Sequence, residues 1–174
     1  MGQKLSILHH YGGIFGLLRS KYLWVAAALT SLTYSAWTNS GWWDLPLEII
    51  PNLLGFTLGG FALTVAFGDE KFREILAKSG DDNSSVFKEL AATFYLFIAV
   101  QLISLLSALV AKYLHNQEIP APLQSMSELI QVFGLAYWFL SYLAFIYGLL
   151  LSLAAAKWIF MLAITYSDYL KDRK

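Results

Sequence analysis

The sequence contains no cysteine among its 174 residues. Disulfides, thiolate metal sites and cysteine nucleophiles are therefore excluded. Charge is scarce as well, because Asp, Glu, Lys and Arg together make up 14% of the chain and the formal net charge at pH 7 is +0. A balanced charge gives no electrostatic argument for binding nucleic acid or an acidic substrate.

Ionisable side chains are nearly missing from the apolar stretches, where Glu48 stands at one end of its stretch. Intramembrane carboxylates mark proton relays and ion-coupled transport, so their scarcity argues against a secondary transporter. Adjacent His9 and His10 would point in different directions on a helix, and no zinc-protease, Walker A or nucleophile-elbow motif occurs. We therefore expect no catalytic residue, no metal site and no cofactor, and the chain is not predicted to be an enzyme.

What the sequence has in abundance is apolar residues, at 57% of the chain. A soluble domain of this size cannot bury so much apolar surface. Charge-free runs of about 20 residues match the length that crosses a bilayer core of roughly 30 Å. The composition therefore predicts an all-α integral membrane four-helix bundle in a single transmembrane domain.

The spans are predicted at residues 22–43, 47–68, 89–112 and 129–156. No charge interrupts the last stretch between Glu128 and Lys157, and apolar residues resume after Lys157. One long last helix with an extension over 157–170 is therefore predicted in place of a hairpin. Two shorter helices are predicted outside the bilayer, an interfacial amphipathic helix at 3–19 and a helix at 69–79.

Basic residues are distributed unevenly between the two sides that four spans would define. Lys112 is the single cation of the first and third connections, and all other Lys and Arg residues fall before the first span, between the second and third, or after the fourth. Because cations near span ends are retained in the cytoplasm, both termini are predicted to be cytoplasmic. The predicted location is the bacterial inner membrane, in contact with its lipid.

The second span is rich in small residues, with a GxxxG spacing at Gly55 and Gly59. Small side chains let membrane helices approach closely, so this surface should touch protein. One interpretation is packing within a subunit, and the other is subunit association or pore lining. The candidate residues for either role are Gly55, Thr57, Gly59, Gly60, Thr64 and Gln101.

A second candidate site is the cation cluster between the second and third spans, formed by Lys71, Arg73, Lys78 and Lys88. These side chains could fix topology and touch anionic lipid, as the positive-inside rule predicts. In a symmetric oligomer they would instead form a ring able to bind an anionic ligand or a cytoplasmic partner.

The four-span layout, with a glycine-rich second span running into FGDEKF (Phe67 to Phe72), resembles small four-span bacterial inner-membrane proteins of anti-phage defence operons, such as the Kiwa membrane subunit or the Hailong channel effector. The resemblance is one of architecture over most of the chain. It implies a homo-oligomeric, channel-like or membrane-perturbing effector. The alternative is a membrane-embedded sensor or scaffold that docks a soluble cytoplasmic partner, such as the product of a gene in the same operon.

Overall fold

The computed structural model of the chain describes residues 20–77, 85–117 and 121–171, so the predicted interfacial helix at 3–19 and the candidate residue Lys78 lie outside the described part. Within the described part, every secondary-structure element longer than one residue is a helix, which confirms the all-α prediction there. The helices are α1 Lys21–Leu32, α2 Tyr34–Thr38, α3 Asp44–Ala66, α4 Glu70–Ala77, α5 Val86–His115 and α6 Ser127–Lys171, the last preceded by a 3₁₀ helix at Ala121–Met126.

Three helical segments in the described residues are long and apolar enough to cross a membrane: Asp44–Ala66, Val86–His115 and Gln124–Lys171. The long last helix is as predicted, since α6 has 45 residues and a length of about 68 Å at 1.5 Å per residue. Large apolar side chains cover the outside of the bundle, for example Trp24, Leu63 and Phe160, which are 65–70% exposed. Such a surface suits lipid far better than water.

The segment predicted as one span at 22–43 is broken into two helices. Thr33 leaves helical geometry between α1 and α2, and the indole N–H of Trp37 donates to the Thr30 carbonyl at 2.8 Å. In an unbroken helix that carbonyl would accept the amide of residue 34. The Thr33 hydroxyl donates back to the Leu29 carbonyl, a bond that bends helices. Neither α1 nor α2 alone is long enough to cross a bilayer.

The helices run alternately up and down. The start of α3 meets the end of α5, where Asp44 and Lys112 form an exposed ion pair at 2.9 Å. Gln101 of α5 bonds Ser152 of α6, and the middle of α3 lies beside both. One end of the bundle is the tryptophan end, defined by Trp37, Trp43 and Trp138. The other is the basic end, defined by Lys21, Lys71, Lys88 and Lys157.

The interior consists of two apolar clusters, one toward each end. Near the basic end, Phe94 and Phe97 of α5 pack with Leu151 of α6 and Ala26 of α1. The cluster near the tryptophan end contains Trp37, Trp42, Trp43, Ile50, Ala108, Ala111, Tyr142 and Phe145. Trp37, Trp42 and Trp43, near the end of the first predicted span, are therefore packed inside the protein at 3–8% exposure, whereas tryptophans at span ends are typical of a belt facing lipid headgroups.

Candidate functional site

The candidate residues of α3 divide between its two opposite faces. Thr57, Gly60 and Thr64 are buried and point at α5 and α6. A Cβ added at Gly60 would lie 2.6 Å from Cδ1 of Ile159, so α3 and α6 are in close contact at this glycine. Gly55 and Gly59 are exposed, and a Cβ at either position would meet nothing within 4 Å. The glycines that the sequence grouped together thus serve different surfaces.

A polar node of three side chains lies between the two apolar clusters. The Gln101 amide nitrogen donates to the Thr57 hydroxyl at 3.1 Å and to the Ser152 hydroxyl at 2.9 Å. Gln101 is fully buried, at 0% exposure, near the middle of α5. One side chain therefore joins α3, α5 and α6. The sequence had singled out Thr57 and Gln101 as binding or packing candidates, while Ser152 was only one of several span serines.

The geometry of the node fixes which way the Gln101 amide faces. The Thr57 hydroxyl donates to the Leu53 carbonyl at 2.8 Å, and the Ser152 hydroxyl donates to the Gly148 carbonyl at 3.0 Å. With their hydrogens used on their own helices, both hydroxyls can only accept from Gln101, so its NH₂ group must face them. Its Oε1 atom is buried without a hydrogen-bond partner among the described residues.

Replacing Gln101 with leucine is expected to change the stability of the subunit by no more than about 1 kcal/mol. Two hydrogen bonds are lost, at roughly 0.6 kcal/mol each on average inside membrane proteins. The loss is offset because an unpartnered carbonyl oxygen is removed and neither hydroxyl is left without an acceptor for its hydrogen. Thermal unfolding in detergent measures this. A loss of several kcal/mol would show that Gln101 does more than bond these two helices.

The outward face of α3 carries a continuous line of small and polar side chains. We call it the outward stripe, and its members are Glu48, Asn52, Gly55, Gly59, Ala62 and Ala66. Their spacing alternates between four and three residues, which keeps them on one side of the helix. All six are exposed, and they lie opposite the buried face that carries Thr57, Gly60 and Thr64. Within residues 20–77, 85–117 and 121–171, the stripe is therefore not used for packing.

The FGDEKF segment forms a sharp turn at the basic end. α3 ends at Ala66, and Gly68 adopts a φ of +83°, a conformation that suits glycine. The Asp69 carboxylate then accepts the Phe72 amide at 2.8 Å and caps α4. A Cβ at Gly68 would lie 2.5 Å from Cδ1 of Phe72. Gly68, Asp69 and Phe72 thus each have a defined part in turning the chain.

Aromatic rings hold α4 against the extension of α6. Phe72 is 2% exposed, and its ring centroid lies 4.9 Å from that of Tyr166 and 5.4 Å from that of Tyr169. Phe67 contacts Tyr166 at 5.2 Å. We call these four rings the aromatic elbow. Because of these ring contacts, the extension of α6 beyond the bundle packs against α4. The same contacts hold α4 in a fixed position.

Three of the candidate cations lie near the aromatic elbow, and their side chains are exposed and not part of its packing. Lys71 and Arg73 are exposed on α4, and Lys88 is exposed in the first turn of α5. That turn is capped by Ser85, whose hydroxyl accepts the Lys88 amide at 3.3 Å. The backbone carrying these three cations is therefore fixed, while their side chains extend into solvent.

Among the residues that the structure describes, no group of three or more His, Asp or Glu side chains could hold a metal ion. The chain was also compared with protein-family models, with curated proteins and with solved structures, and none of the three comparisons found a match. The functional assignment therefore rests on the chain's own residues and their geometry.

Proposed function

We propose that the chain is a membrane protein with four crossings, in which α1 and α2 together form the first. Residues 21–38 contain both helices and extend about 27 Å at the standard rise, close to the thickness of the hydrocarbon core. The alternating directions of this segment, α3, α5 and α6 support an even number of crossings.

The basic end of the bundle is the cytoplasmic side in this proposal. In the part of the chain that the structure describes, Lys21, Lys71, Arg73, Lys88 and Lys157 gather there, and the one cation at the tryptophan end is Lys112, which is paired with Asp44. The positive-inside rule then puts both termini in the cytoplasm, and the location that we propose is the bacterial inner membrane.

The function that we infer is self-association into a homo-oligomeric, channel-like or membrane-perturbing effector with α3 at its centre. The observation that carries it is the outward stripe. A lipid-facing helix surface gains nothing from glycine, but a helix that touches another helix gains close backbone approach, and an asparagine in the contact adds hydrogen bonds. Gly55 and Gly59 have open space around them in the single subunit, so a second copy of the chain can approach there.

A ring of subunits with α3 at the axis would repeat each stripe residue around a central passage. Glu48 then forms a carboxylate ring toward the tryptophan end, and Asn52 forms an amide ring one turn deeper. Rings of carboxylates favour cations at the mouth of a channel. The glycines and alanines that follow let neighbouring α3 helices approach closely around the axis. The expected conductance is therefore cation-selective.

The test is native mass spectrometry of the detergent-solubilised protein, followed by reconstitution into liposomes. Peaks at a fixed multiple of 19.5 kDa and cation flux across the liposome membrane are expected. Glu48→Gln should reduce the preference for cations without changing the number of subunits. A monomer that conducts no ions contradicts the proposal.

A sensor or scaffold that docks a soluble cytoplasmic partner is the second candidate, and the aromatic elbow favours it. The elbow presents Lys71 and Arg73 on a fixed helix, as a docking surface requires. A partner with an acidic surface should co-purify with the protein, and the double variant Lys71→Glu, Arg73→Glu should lose it, because like charges would then face each other. Lys171→Glu, exposed at the end of α6, is the control that should retain the partner. Equal recovery with the double variant and with the control would remove this candidate.

A further inference from the structure

A groove of about 290 Å³ opens between α1, α5 and α6 toward the basic end of the bundle. Its walls are mostly apolar: Leu96 and Phe97 come from α5, and Leu151, Ala154 and Met161 come from α6. The groove is separate from the outward stripe, which lies on the opposite side of α3 from the bundle interior. Its size is at the lower limit of small-molecule sites in proteins.

The polar groups of the groove favour an anion. Among the described residues that line the groove, Lys157 is the one ionised side chain, and it stands in a stretch of α6 that has no other charge from 129 to 167. The first turn of α1 also borders the groove, through Ser20 and Tyr22. That turn contains no acidic residue and the Ser20 side chain caps none of its amides, so among the described residues no carboxylate or capping side chain offsets the positive end of the helix dipole.

We propose that this groove binds one phospholipid with an anionic headgroup. Its phosphate lies against Lys157 and the N-terminus of α1, and part of an acyl chain lies along the apolar walls beside Phe97 and Leu151. Basic pockets between membrane helices on the cytoplasmic side are the usual sites for such headgroups. The long Lys157 side chain can extend its ammonium group toward the headgroup region while its methylenes stay in apolar surroundings.

Native mass spectrometry with added lipid tests the proposal on the full chain. The probes are phosphatidylglycerol and phosphatidylcholine with identical acyl chains. The wild-type protein should bind phosphatidylglycerol more tightly, and Lys157→Gln should weaken that binding about fivefold, the contribution expected of one lysine toward an anionic lipid. Binding of phosphatidylcholine should weaken less in this variant, because its choline cation offsets the charge of its phosphate. Leu96→Trp, which fills the apolar part of the groove, should lose both lipids.

Lys88→Gln is the matched control, because Lys88 is an exposed cation at the same end that does not line the groove. It should bind lipid as the wild type does. An equal loss in both lysine variants would overturn the proposal, since it would indicate a diffuse surface charge. Failure of the wild type to retain either lipid would overturn it as well. The same spectra count subunits separately from bound lipid, so failure of self-association is distinguishable.

Discussion

Gly60→Leu should destabilise the subunit by about 1–3 kcal/mol relative to Gly59→Leu, although the two positions are adjacent on α3. At Gly60 a new side chain is forced into Ile159, with Phe94 behind it at 3.8 Å, and overpacking of an interior costs roughly this amount. At Gly59 a leucine enters open space. Both substitutions replace glycine by leucine in the same helix, so the change in helix propensity cancels in the comparison.

The two variants should differ in opposite ways when stability and assembly are measured together. Thermal unfolding in detergent should show a fall of several degrees for Gly60→Leu, at about 2–4 °C per kcal/mol for a chain of this length. Gly59→Leu should keep the wild-type unfolding of the single subunit and lose the oligomer in native mass spectra, because leucine prevents close approach of two stripes.

Each half of this comparison can fail by itself. Equal unfolding temperatures for the two variants would mean that Gly60 is not the close contact between α3 and α6. An intact oligomer in Gly59→Leu would remove the outward stripe as the surface of self-association. Gly55→Leu, one turn earlier on the same stripe, is the second variant and should behave as Gly59→Leu does.

The long apolar helices could be predicted from the sequence because charge-free length is a property of the chain alone. The predicted spans at 47–68 and 89–112 correspond to α3 Asp44–Ala66 and α5 Val86–His115, and the long last helix also follows from the uninterrupted run after Glu128. Helix α5 extends three residues beyond its predicted span at each end, where polar groups continue the helix. Lys112 and His115 do so at the end of α5.

The break between α1 and α2 could not be predicted from the same pattern. It depends on the Trp37 indole reaching back to the Thr30 carbonyl and on Trp37 packing edge to face with Phe139 of α6 at 5.4 Å. The second contact joins residues far apart in the chain. The sequence shows that this segment is rich in Ser and Thr, but it does not specify which backbone carbonyl will accept a side-chain hydrogen bond.

The division of α3 into two faces was present in the sequence but could not be assigned to partners. Helical spacing puts Thr57, Gly60 and Thr64 on one side and Gly55 and Gly59 on the other. The sequence does not say which side meets α6, because both sides carry small residues. Only the positions of Ile159 and Gln101 in the structure decide it. The turn at FGDEKF is easier to predict from the sequence, since a glycine followed by a capping aspartate signals the end of one helix and the start of the next.

Gly68→Ala should release α4 from the extension of α6. The substitution costs about 1–2 kcal/mol for a residue with a Cβ at a φ of +83°, and the new Cβ also displaces the Phe72 ring from the aromatic elbow. Because 1–2 kcal/mol corresponds to a factor of roughly 5–30 in an equilibrium, the open form of α4 should become at least fivefold more populated. Phe72→Ala should open it further, since loss of a buried phenylalanine costs about 3–5 kcal/mol.

Trypsin is a direct probe of this opening, because α4 contains Lys71 and Arg73 and a protease cuts a helix only when it opens. Fragment masses should show faster cleavage after these two residues in Gly68→Ala than in the wild type. Gly41→Ala is the matched control: Gly41 has a φ of +93°, but a Cβ there would have only the Asp44 carboxylate nearby, at 4.0 Å, and it lies at the tryptophan end. That variant carries comparable backbone strain and should leave cleavage in α4 unchanged. Faster cleavage in both variants would mean that strain anywhere loosens the bundle, and that the aromatic elbow does not hold α4 by itself.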